Sequence, residues 1–139
     1  MKILLLADIH ANWPALQAVE LAGETYDVCI FLGDAVDYAT EPARCIDWIH
    51  ERADWAVRGN HDHSVAQRVA VTPGGTFRQI AAAMRPRHFE SLTDKHLTWL
   101  AQMPVTSHIS VGGHKLLLVH ATPRDPMDEY IANGRNVLS

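Results

Sequence analysis

Short, almost wholly apolar runs alternate with longer amphipathic stretches through the first half of the chain, and the alternation predicts strands and helices in turn. Lys2 to Ala7, Val28 to Leu32 and Trp55 to Val57 lack the polar alternation of a half-exposed sheet and read as buried strands. Between the first two, Trp13 to Leu21 carries Pro14 in its opening turn and loses its pattern near Gly23, as a helix would. Between the second and third, Glu41 to Ala53 sets Ala43, Ile46 and Ile49 at helical spacing behind Pro42. Strand, helix, strand order of this kind implies a parallel sheet with crossover helices.

The second half changes character. Asn60 and His61 read as a loop, residues 62 to 70 as helical, and Thr72-Pro73-Gly74-Gly75 as a break before another helix over 76 to 84. Thr93 to Gln102 predicts a further helix, with Thr93 as its cap and Leu97 and Leu100 on its inner face. Val105 to Val111 and Lys115 to Val119 flank Gly112-Gly113, a tight-turn pair that accepts positive φ, so an antiparallel hairpin and a second sheet begin there. No repeat or linker divides the chain, and 139 residues at 47% hydrophobic content suffice for one domain with a real core.

Charge narrows the partners. A net charge of −4 does not suit a general binder of polyanions, and clusters of carboxylate and imidazole favour a divalent cation. The compact basic cluster Arg85-Pro86-Arg87-His88 reads as a solvated helix end. Cys29 and Cys45 lack metal-motif spacing and read as buried thiols of a reducing compartment. Asp8 and His10 interrupt the first apolar run before it reaches signal length, and no run reaches transmembrane length, so a cytoplasmic protein without a membrane partner is expected.

The chemistry lies at the run ends. The first run leads into Asp8-Ile9-His10, the second into Gly33-Asp34-Ala35-Val36-Asp37, the third into Gly59-Asn60-His61-Asp62, and Lys115 to Val119 into His120. Each taken alone has a plainer reading: Asp8 begins a loop, Asp34 and Asp37 cap a turn after Gly33, Asn60 after Gly59 is turn chemistry, and a single His such as His120 has many uses. Their recurrence at four strand ends is a different matter, because the carboxyl ends of buried strands are where an α/β sheet collects its ligands. His50, His63, His88 and His96 read as helix-surface groups and His108 and His114 as exposed hairpin residues, without a ligand role.

The order Asp-x-His, Gly-Asp-x-x-Asp, Gly-Asn-His-Asp and an isolated His after an apolar strand resembles the calcineurin-like metallophosphoesterase superfamily, from residue 1 to about 132. Asp34 to Tyr38 and Val119 to Pro126 look like the versions found in its small bacterial and archaeal phosphodiesterase branch. The protein serine/threonine phosphatases of the superfamily carry Arg where this chain has Tyr38. The resemblance implies an α/β fold, a four-layer α/β/β/α sandwich, of which this chain supplies the first sheet with its helices and the start of the second. It implies a dinuclear site of Mn, Fe or Zn, with Asp34 bridging, Asp8 and His10 on one metal, and Asn60 and His120 on the other. Two metals ~3.5–4 Å apart make a hydroxide from bound water for in-line attack on phosphorus. His61 would protonate the leaving oxygen, with Asp37 holding its other ring nitrogen.

Small phosphorylated metabolites or nucleotide diesters are the substrates expected, and nucleic-acid polymers are not. Asn12, Arg58 and Arg124 are candidate phosphate contacts, while Ala11 and Ala121 stand where the family often has Gly. The family pattern closes with a Gly-His-x-His motif downstream of the isolated His, and Gly113-His114 is no substitute, so the domain is expected to be incomplete at its C-terminus. The alternatives are a catalytically impaired metal- or phosphate-binding remnant, a regulatory protein, or a fragment of a longer phosphoesterase. An uncovered second sheet would favour a homo-oligomer.

Overall fold

The computed structural model describes residues 1–131. Strands β1 (Ile3–Leu6), β2 (Val28–Phe31) and β3 (Trp55–Ala56) form a parallel sheet in that order, joined through helices α1 (Trp13–Leu21) and α2 (Pro42–Arg52). Ile3 lies beside Val28 and Leu6 beside Phe31, while Ile30 and Phe31 pair with Trp55 and Ala56. The central position of β2 is the reason Cys29, Ile30 and Phe31 are all buried. Three helices follow, α3 (Asn60–Ala66), α4 (Thr76–Ser91) and α5 (Asp94–Gln102), and then the antiparallel pair β4 (Thr106–Val111) and β5 (His114–Val119).

Strand alternation sorts the core into two layers. Toward the helices, Leu4, Leu6 and Phe31 meet Leu16 of α1, Ile46 and Ile49 of α2, and Leu100 of α5. Full burial of side chains such as Ile46 and Ile49 contributes about 1.5–3 kcal/mol each. On the opposite face, Ile30 and Val57 pack against Ile109, Val111 and Leu118, so the hairpin lies as a second sheet upon the first. These are three of the expected layers; an outer helical layer beyond the second sheet is not among the described residues. Leu5, on the sheet face shared with Ile3, is 59% exposed, and Leu117 on the outer face of β5 is 43% exposed.

Most expected elements form within a residue or two of their predicted bounds, including the hairpin, whose Gly112 and Gly113 both take positive φ (55° and 81°). Two differ. Helix α3 begins at Asn60 instead of residue 62, because the Gly59 N–H donates back to Asp62 Oδ2 at 3.0 Å and starts the turn early. It stops at Ala66 instead of 70, ahead of Arg68 at φ 53°. Helix α4 runs on to Ser91, past the expected end near 84 and through Pro86. Proline inside a helix removes a hydrogen bond at roughly 3 kcal/mol or more, so contacts on either side of it must hold the helix. Arg85 and His88, 7% and 1% exposed, bond to Asp37, which corrects their reading as solvated surface groups.

Cys29 and Cys45 are free and buried as expected, and burial pushes the Cys45 thiol up to about 12, which keeps it unreactive. No helix among the described residues is long and apolar enough to cross a membrane.

Candidate metal centre

The loops that leave β1 and β2 remain paired after the strands end. Asp8 N–H donates to Gly33 O at 3.0 Å, His10 N–H to Asp34 O at 3.0 Å, and Ala11 N–H to Ala35 O at 2.7 Å. This pairing demands unusual backbone. Among the described residues, Asp8, His10, Ala11, Asp34, Asp37 and Tyr38 all have φ between 49° and 67°, a region that costs non-glycine residues roughly 1–2 kcal/mol each. Such strain collects at functional sites, where the surroundings hold it in place. Ala11 therefore adopts the conformation that glycine would take more readily.

Two glycines are required where the loops touch. A β-carbon on Gly33 would lie 2.8 Å from His120 Nδ1, and one on Gly59 would lie 2.6 Å from the Asp34 nitrogen and collide with its carboxylate. The glycine that opens each motif thus admits the close approach of its neighbour.

The side chains converge on Asp34, which is 2% exposed. Its Oδ2 lies 3.4 Å from His120 Nε2 and 3.7 Å from His10 Nε2, and His10 Nε2 is also 3.7 Å from Asp8 Oδ1. Donor atoms of Asp8, Asp34 and His120 lie within 4.8 Å of one another. Each imidazole is aimed by its other nitrogen. His10 Nδ1 meets Val36 O and His120 Nδ1 meets Leu32 O, both at 2.8 Å, so each carries its proton on Nδ1 and turns Nε2 to the centre. Asn60 lines the same pocket of about 600 Å³, as do His61, Tyr38, Phe77, Met127 and Tyr130. All five residues expected to hold metal share this pocket, and the mix of oxygen and nitrogen donors suits a divalent transition metal.

His61 and Asp37 stand together at its edge. His61 Nδ1 is 2.7 Å from Asp37 Oδ2, and its Nε2 lies 3.3 Å from the Tyr38 hydroxyl. Burial pushes the Asp37 carboxyl up, but hydrogen bonds from His61 and Arg85 and the Arg85 charge outweigh it and hold the group below its ordinary value. Burial works against a charged His61, yet the hydrogen bond to Asp37 and the Asp34 charge raise its affinity for a proton. Asp34 is lowered in the same way, with burial overcome by the His120 hydrogen bond and the neighbouring imidazoles. His120 is held up to about 9, chiefly by its hydrogen bond to Asp34, against its burial.

The last value makes a prediction. Below about 9, metal-free His120 holds a second proton, on Nε2, which a metal must expel to bind there. Metal affinity should therefore weaken by roughly tenfold for each unit that the pH falls below that value, and level off above it. Titration calorimetry in buffers of different ionisation enthalpy should show about one proton released per metal near neutrality. Affinity that is flat from pH 6 to 8 would overturn either the raised proton affinity of His120 or its place as a ligand.

Several partners were not legible in the motifs. Asp62 sits inside the quoted Gly-Asn-His-Asp yet carried no expected role; it is wholly buried and accepts from the backbone N–H groups of Asp34 (2.7 Å), Ala35 (2.8 Å) and Gly59 (3.0 Å). Burial and the Asp34 charge push it up, while those three donors favour its ionised form. Arg85 and His88 reach the Asp37 loop from α4. The three candidate phosphate contacts are engaged elsewhere: Asn12 caps α1 at Ala15 N–H (3.2 Å), Arg58 donates to Ala101 O (3.1 Å), and Arg124 pairs with Glu129 (2.7 Å).

Comparison with known proteins follows the same lines. The family profile described as calcineurin-like phosphoesterase matches residues 1–137. The chain is similar to an uncharacterized protein of Methanocaldococcus jannaschii, 27% identical over 126 residues that make up 89% of this chain and 51% of the relative. Among solved structures it is similar to a metallophosphoesterase from Sphaerobacter thermophilus, with TM-score 0.75 and 31% identity over 94% of this chain and 51% of the other. It shares its fold with a hypothetical protein from Pyrococcus horikoshii, with TM-score 0.71 and 19% identity over 94% of this chain and 58% of the other. The chain thus spans about half the length of the relatives it matches.

Proposed function

This chain belongs to the calcineurin-like phosphoesterase family, and on that premise we propose that it is a metal-dependent phosphoester hydrolase acting on small phosphorylated metabolites or nucleotide diesters. The observation that carries the reading is the placing of Asp34 Oδ2 between two imidazoles whose Nε2 atoms are aimed at it by backbone carbonyls. Asp8, His10, Asp34, Asn60 and His120 would hold the metals. Bound divalent ions would neutralise phosphate charge and acidify water, which hydrolysis near neutral pH requires.

The remaining chemistry belongs to the chain. With Nδ1 held by Asp37, His61 keeps Nε2 for the pocket, beside the Tyr38 hydroxyl. As the water-derived oxygen bonds to phosphorus and the P–O bond to the leaving group breaks, the departing oxygen takes the Nε2 proton, and the Asp37 charge favours the protonated ring before transfer. His61 N–H also donates to Asp34 Oδ1 at 3.0 Å, so the acid is tied to the carboxylate at the centre of the site. Tyr38, Phe77, Met127 and Tyr130 line the pocket and would offer ring and thioether surface to an organic group of the ester.

Binding of metal and phosphate without turnover is the second reading, favoured by the five donor side chains that line the pocket among the described residues. Purified, chelator-stripped chain is titrated with Mn²⁺ and offered a chromogenic phosphodiester. Metal uptake with hydrolysis is the expected result. Uptake without hydrolysis would select the second reading, and no uptake would remove both.

A further inference from the structure

Asp37 is gripped from behind by α4, and the grip has no counterpart in the motifs that mark the site. Its carboxylate is wholly buried; Arg85 Nε donates to Oδ1 at 3.2 Å and Arg85 Nη2 donates to Oδ2, the oxygen that also receives His61 Nδ1. A guanidinium fork on both oxygens sets the plane of the carboxylate, which a single donor would leave free to rotate. Arg85 is anchored in turn, since Nη1 donates to Val69 O at 2.8 Å. One helical turn on, His88 holds the backbone of the same loop. Asp37 N–H donates to His88 Nδ1 at 3.3 Å, and His88 Nε2–H donates to Ala39 O at 2.8 Å. The loop so held contains Asp37 and Tyr38, both at φ 67°, a pair that local preference alone would not maintain.

We infer that Arg85 and His88 are positioning residues for His61, acting through Asp37: the fork and the loop clamp set the direction in which Asp37 presents its oxygen to Nδ1, and so the direction in which Nε2 faces the leaving group. This rests on the reading of His61 as the proton donor. A buried arginine beside a buried carboxylate also has a plainer role, neutralising charge for the sake of stability. The two roles differ in what lysine does. Lysine restores the charge but cannot restore the fork.

The test is Arg85→Lys, with His88→Gln alongside, assayed on a phosphodiester with a good leaving group (4-nitrophenolate) and one with a poor leaving group (an alkoxide). Proton donation matters most where the leaving oxygen is basic, so turnover of the alkyl ester should fall about tenfold further than that of the nitrophenyl ester. In a His61→Asn background, Arg85→Lys should add no further loss, because residues that act as a unit are not additive. Equal loss on both esters, or a full further loss in that background, would show a structural role and overturn the inference.

A second readout needs no metal and no turnover. The His61 Nδ1 proton in its short bond to Asp37 should resonate far downfield in proton NMR of the metal-free chain, and Arg85→Lys should shift or broaden it. An unchanged signal would overturn the clamp even if the chain hydrolyses nothing, whereas hydrolysis that is absent with the signal perturbed would count against the enzymatic reading alone. Should Arg85→Lys fail to fold, His88→Gln carries both measurements with the same expected direction.

Discussion

Asp34→Asn should abolish metal-dependent turnover, by roughly 10³-fold or more if the site loses several kcal/mol of charge stabilisation. Its carboxylate stands between two imidazole nitrogens, with Oδ2 at 3.4 Å and 3.7 Å from His120 and His10, while its Oδ1 accepts the His61 N–H at 3.0 Å. An amide keeps one acceptor and replaces the other with a donor, and it removes the negative charge on which the neighbouring imidazoles converge. The fold should persist, because the Asp34 backbone contacts do not depend on its side chain: N–H to Asp62, and C=O from His10 N–H. Metal content by mass spectrometry, measured beside turnover and circular dichroism, decides the matter. A folded variant that retains full metal content and activity would remove Asp34 from the centre of the site.

Asp62→Asn should fail in the opposite manner, through stability first. The wild-type carboxylate accepts three backbone N–H groups, from Asp34 and Gly59 on Oδ2 and from Ala35 on Oδ1, in a place without exposure to water. An asparagine oxygen serves one side and sets an NH₂ group against a buried N–H on the other. Leaving buried donors unsatisfied costs about 1–3 kcal/mol each, so a loss of roughly 3 kcal/mol is expected. For a domain of this size that lowers the melting temperature by roughly 10 °C, read by scanning calorimetry. Metal affinity should fall with it, although Asp62 does not line the pocket, because the bonds broken are those that hold the β2 loop against the start of α3. A melting temperature within a degree or two of wild type would refute this account.

The two variants mark a division in what could be read in advance. Asp34 was legible because it follows an apolar strand, and the same position at a strand end recurred at Asp8, Asn60 and His120. Asp62 stood in the quoted motif, but nothing local separates a carboxylate that faces a pocket from one that faces inward toward three amides. Asn60 and His61 read as loop residues for a related reason: the helix that begins at Asn60 is started by a bond from Gly59 N–H to a side chain whose burial no local pattern states. The surface reading of Arg85-Pro86-Arg87-His88 followed from charge and a proline, which in isolation end a helix at solvent.

By itself, then, the chain's pattern determined the strands, the helices that cross between them, the glycine hairpin, and the placing of candidate donors at strand ends. Period, turn chemistry and strand termini are local properties, encoded within a few residues. Tertiary structure alone decided that α4 continues through Pro86, that Arg85 and His88 turn inward, and that Asp37 is shared between Arg85 and His61. Those contacts join residues 48 and 51 positions apart, and the charges involved are tolerated in the interior only because each meets its partner there.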